Sequence, residues 1–83
     1  MNAPLRIDPP APRAPDLSAP LADAIGEAMH AAANYADTAV RFGEMRDLRG
    51  LSYAVRSAAA CIGTAAELLT ELVDLSKRGG PRS

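Results

Sequence analysis

Apolar residues recur along this chain at alternating spacings of four and three. In the first half they are Leu21, Ile25, Ala28, Ala32, Tyr35, Ala39 and Phe42, while Asp23, Glu27, Asn34, Asp37 and Arg41 fall mostly off that stripe. Such spacing holds residues on one side of a helix of 3.6 residues per turn, so the pattern predicts an amphipathic α-helix. Met29, Ala36 and Val40 widen its apolar side. A second periodic run follows Gly50. One stripe is Ala54, Ala58, Cys61, Ala65, Leu68, Leu72 and Leu75; a neighbouring one is Leu51, Val55, Ala58, Ile62, Ala65, Leu69 and Leu72. Together they make a face too broad for one partner helix. A second contact is expected, either another copy of the chain or a different protein.

The ends of these runs carry helix signals. Asp16 or Ser18 can cap the first helix, with Pro20 tolerated in its first turn. Lys77 and Arg78, followed by Gly79 and Pro81, form a stop pattern: basic residues favour the negative helix end, glycine takes the left-handed cap, and proline cannot continue the ladder. Ahead of the first helix, Pro4, Pro9, Pro10, Pro12 and Pro15 lack the amide proton that a helix or sheet needs. Residues 1–17 are therefore expected to be a disordered, extended tail, and residues 80–83 a disordered C-terminus. The helical unit is expected over residues 18–79.

The link between the runs lies in "FGEMRDLRGLSY", Phe42 to Tyr53. A glycine stop prefers an apolar residue after it, packing back on the last turn. Glu44 after Gly43 cannot do this; Leu51 after Gly50 can, and Ser52 would then cap the next helix. The expected fold is thus all-α: an antiparallel two-helix hairpin, about 19–49 and 52–78, reversing at Gly50. In that register Ile25 lies near Leu75, Ala28 near Leu72, Tyr35 faces Ala65 and Phe42 faces Ala58. A turn near Met45 is the alternative and pairs Ile25 with Ala65, Ala28 with Ile62 and Ala39 with Leu51.

Composition sharpens this picture. The chain has 83 residues and is 48% hydrophobic but only 4% aromatic, because much of its apolar content is alanine. Short chains bury a small fraction of their surface and are marginal alone. Self-association is expected, as two hairpins in a four-helix bundle. Basic residues gather near the turn and acidic ones at the open end, so an antiparallel arrangement of the two hairpins is expected to bring unlike charges together.

The net charge of −1 argues against phosphate-dominated nucleic-acid binding over the whole molecule. A lone Cys61 excludes an internal disulfide and reads as a small buried apolar residue. The start of the chain shows no export signal. The most apolar stretch, Ala54 to Leu75, is interrupted by Arg56, Glu67, Glu71 and Asp74, which excludes a membrane span there. A cytoplasmic location without membrane contact is expected.

Chemistry-bearing patterns are few. His30 is the only histidine, with no ligand cluster beside it, so no metal is expected; in the Gly50 register it lies near Glu71. No nucleophile–base pair or phosphate loop is present, so neither catalysis nor a cofactor is expected. The candidate partner-binding residues are Arg41, Arg46, Arg49, Tyr53 and Arg56, around the turn; Tyr and Arg are enriched at interfaces. The leading expectation is a small non-enzymatic interaction module: an adaptor, co-chaperone or inhibitor, of the kind phages use, acting on a protein partner as a homodimer. The alternatives are a nucleic-acid-binding regulator using the arginine tip, or a structural subunit of a larger assembly.

Overall fold

In the computed structural model, which describes residues 16–79, the chain forms an antiparallel α-helical hairpin. Helix α1 spans Ser18–Glu44 and helix α2 spans Leu48–Gly79. No strand occurs among the described residues. Of the tail expected over residues 1–17, residues 1–15 lie outside the described residues, as do residues 80–83.

Asp16 starts α1. Its Oδ1 accepts from the Ser18 amide at 2.9 Å and from the Ser18 hydroxyl at 2.7 Å. One of the four unpaired amides of the helix start is thereby satisfied, and an acidic group sits at the positive end of the helix. These two bonds, the hydroxyl's first, hold the Asp16 carboxyl below the usual carboxylate range.

The reversal is at Met45–Asp47, not at Gly50. Arg46 takes a positive φ of 58°. Its amide donates to the Gly43 carbonyl at 3.1 Å, and the Asp47 amide donates to the Phe42 carbonyl at 2.9 Å. This pair of bonds is a Schellman helix end with arginine where glycine is usual. Asp47 then caps α2: its Oδ1 accepts from the Gly50 amide at 3.0 Å, and its carbonyl from the Leu51 amide at 2.9 Å. The expected Ser52 cap is corrected accordingly; Ser52 lies exposed inside α2. Gly43 and Gly50 are both helical.

Gly50 has a different use. The Phe42 ring lies directly on it: a Cβ there would stand 2.5 Å from Phe42 Cδ1 and 2.6 Å from Cε1. Leu51 reaches back to Gly43, where an added Cβ would meet its Cδ1 at 4.0 Å. These two contacts set the register. Phe42 faces Gly50 rather than Ala58, so α2 is displaced by about one heptad from the Gly50 hairpin. The Met45 alternative places the turn correctly, but its pairs are about two residues out of this register.

The seam between the helices follows the sequence stripes. Leu21, Ile25, Ala28, Tyr35, Ala39 and Phe42 are partly buried and Ala32 is buried. On α2, Ala58, Cys61, Leu68, Leu72 and Leu75 are partly buried, Ala54 and Ala65 fully so. The residues buried most deeply are all alanines: Ala32, Ala54 and Ala65. Small side chains let the two backbones approach closely. They also leave a thin core, with no large side chain fully enclosed among the described residues.

Candidate interaction surfaces

Two right-handed antiparallel helices in contact have a simple geometric property. One step forward from an inward-facing residue turns about 100° on each helix, and because the helices run oppositely both steps lead to the same side of the hairpin. One step past the α1 seam come Ala22, Gly26, Met29, Ala33, Ala36 and Val40. One step past the α2 seam come Val55, Ala59, Ile62, Ala66, Leu69 and Val73. Every one of these residues is exposed. They form one apolar face spanning both helices, carrying no charged residue. The large members keep much of their surface in water: Met29 46%, Val40 60%, Val55 51%, Ile62 50%, Leu69 51% and Val73 43%.

The opposite side is polar. There stand Glu27, Asn34, Thr38 and Arg41 on α1, and Tyr53, Ser57, Thr64, Glu67, Glu71 and Asp74 on α2, interspersed with the small Ala24, Ala31 and Ala60. Thr38 is half-buried and satisfies its hydroxyl on the Asn34 carbonyl at 3.0 Å. Tyr53 leans over the seam and meets Tyr35 edge to face, with ring centroids 6.1 Å apart and planes at 80°. Hydrogen bonding to Tyr53 holds the Tyr35 hydroxyl above the usual tyrosine range, because it favours the neutral form.

The five candidate residues around the turn do not form one cluster. Arg49, Tyr53 and Arg56, at helical spacing on α2, line a shallow open depression with Leu48, Ser52 and Ala60. Arg46 projects from the turn itself. Arg41 belongs to the polar side of α1, where its Nη2 donates to Asp37 Oδ2 at 3.0 Å. Among the described residues no carboxylate lies within ion-pair distance of Arg46, Arg49 or Arg56. Both Arg49 and Arg56 stand on the outer edge of α2, next to the apolar face.

His30 is not near Glu71. It stands exposed on the outer edge of α1, beside a shallow groove with Ala22, Asp23, Gly26 and Glu27. The change of register by about one heptad and the outward direction of this helix edge separate the two. Among the described residues no group of three or more His, Cys, Asp or Glu side chains is placed to hold a metal ion. No helix among them is long and apolar enough to cross a membrane.

The sequence stripes contained most of the apolar face without separating it from the seam. Val55, Ile62 and Leu69 appear in the second stripe, and Met29, Ala36 and Val40 as a widening of the first. Val73 and the small residues Ala22, Gly26, Ala33, Ala59 and Ala66 were missed. The available signal was the spacing of Leu48, Val55, Ile62 and Leu69, each seven residues after the last, which marks a second seam at coiled-coil period. No family model matches the chain, and no curated protein or solved structure matches it either.

Proposed function

We propose that this chain is a non-enzymatic protein–protein interaction module that acts through its helical surface and self-associates. The apolar face carries this reading. Contiguous exposed apolar surface rimmed by polar residues marks an interaction site, whereas isolated exposed apolar residues do not. The thin alanine core adds to it, since a hairpin of two helices gains little stability from its own seam. The basic turn, with Arg46 at its apex and Arg49 and Arg56 beside it, offers an acidic protein surface a second contact.

Affinity capture with the full chain, read by mass spectrometry, tests the module. Ile62→Glu disrupts the apolar face, Arg46→Glu changes the turn, and Thr64→Glu alters the polar side. The expected result is a bound set that survives Thr64→Glu and is lost with Ile62→Glu or Arg46→Glu. A bound set indifferent to all three would defeat the proposal.

A further inference from the structure

The geometry points to a second copy of this chain as the occupant of the apolar face, with both turns at the same end and α1 of each copy stacked on α2 of the other. This rests on the self-association proposed above and adds its face, orientation and register. Two independent features carry it.

The first is charge along the two edges that flank the face. The outer edge of α1 and the residue that starts it carry Asp16, Asp23, Asp37 and Glu44, at seven-residue steps with His30 in the same series. On α2 the outer edge carries Arg49, Arg56 and Lys77 in one seven-residue series, with the uncharged Gly63 and Thr70 between the last two. All are exposed. One edge is acidic and the other basic, at the positions that flank an interhelical seam and choose its partner. The second feature is size. The α1 half of the face is mostly small, with Ala22, Gly26, Ala33 and Ala36. The α2 half is mostly large, with Val55, Ile62, Leu69 and Val73.

Two hairpins can meet through this face with two-fold symmetry in two ways. An axis across the helices stacks α1 on α1 and α2 on α2. Acidic edge then runs along acidic edge, and large residues oppose large while small oppose small. That is the antiparallel arrangement expected from the charge of the turn and the open end alone. An axis along the helices stacks α1 on α2. Acidic edge then runs along basic edge, and most of the large residues meet small ones: Ile62, Leu69 and Val73 come beside Ala33, Gly26 and Ala22, Met29 beside Ala66, while Val55 meets Val40. The second arrangement satisfies both features.

It also fixes the register. A two-fold axis along the helices keeps every residue at the same height in both copies. Phe42 faces Gly50 within the hairpin, so Glu44 comes opposite the partner's Arg49 and Asp37 opposite the partner's Arg56. Ile62 comes beside the partner's Ala33, and Met29 beside the partner's Ala66.

Light scattering and pulsed electron spin distance measurements on the full chain test this. The wild type is expected to be a dimer at micromolar concentration, Thr64→Glu to remain one, and Ile62→Glu and Leu69→Glu to be helical monomers by circular dichroism. Spin labels on Met45→Cys, in a Cys61→Ala background, are expected within about 35 Å of each other; turns at opposite ends of helices about 40 Å long would lie beyond about 45 Å. Arg49→Glu is expected to weaken the dimer about tenfold, and adding Glu44→Arg to restore it. A wild-type monomer would overturn self-association itself. A dimer with the long distance, or one in which Glu44→Arg fails to rescue Arg49→Glu, would overturn the arrangement alone. A dimer untouched by both apolar-face variants would overturn the choice of face.

Discussion

The two broad sides of the hairpin are built from the same helices and differ in one respect. One side continues the apolar pattern past the seam; the other stops it. On the polar side, Thr38 bonds its hydroxyl to the helix backbone and Tyr53 closes over the seam edge to face with Tyr35. On the apolar side, Met29, Val40, Val55, Ile62, Leu69 and Val73 are exposed, with no other described residue covering them. An amphipathic helix needs a polar stripe to end its apolar one. Here each helix has its polar stripe displaced to one flank, so the hairpin as a whole is amphipathic. That asymmetry gives a chain with a weak core a defined direction of association.

The strongest way to break this contrast is to exchange the chemistry of the two sides. Two-fold symmetry places each substitution in the interface twice. Ile62→Glu is therefore expected to raise the dissociation constant at least about a hundredfold, roughly 3 kcal/mol, by burying an unpaired carboxylate in each copy. Thr64→Glu, two residues away on the polar side, is expected to leave it within about threefold. Sedimentation equilibrium across a concentration series measures both.

The next largest effect concerns the register on which the contrast depends. Gly50→Ala puts a Cβ into the Phe42 ring. It is expected to destabilise the fold by about 1–2 kcal/mol despite the better helix propensity of alanine. Gly43→Ala adds a Cβ at ordinary contact distance from Leu51 and is expected to stabilise by up to about 1 kcal/mol. Urea unfolding of the two variants checks the signs; equal effects would remove the close Phe42–Gly50 contact as the register pin.

A smaller effect probes the closure of the polar side. Tyr53→Ala is expected to lose about 1 kcal/mol from the edge-to-face pair and its cover over the seam. The same pair predicts a pH dependence. The Tyr35 pKa is raised in the folded state, so its contribution is fully present below the unfolded tyrosine value, near pH 10, and is lost as pH rises through the raised value. Melting temperature followed from pH 9 to 11.5 should fall more steeply for the wild type than for Tyr35→Phe. Smallest of all, Asp37→Asn removes the exposed Asp37–Arg41 pair and is expected to change monomer stability by less than about 0.5 kcal/mol.

The stripes named from the sequence predicted both helices and nearly every seam residue, because burial at a period of 3.5–3.6 residues is written directly into residue order. The arginines at the turn were legible as a group, but not their separation. Arg41 departs to the polar side, paired with Asp37 of the outer edge, whereas Arg49, Tyr53 and Arg56 share one helix surface. That division depends on where each helix face points once the hairpin has closed.

The position of the turn shows what residue order leaves open. Sliding α2 by one heptad returns every seam residue to the seam, so the Gly50 hairpin and the observed one satisfy the same pattern. Periodicity alone gives no preference between them. Tertiary contacts decide: the Phe42 ring needs the bare Cα of Gly50 opposite it, and Asp47 is free to cap α2 only when the chain reverses before it. The sequence by itself determined two amphipathic helices, their seam and their surplus of apolar surface. Only the tertiary structure decided the register, and with it that the surplus of both helices lies on one side.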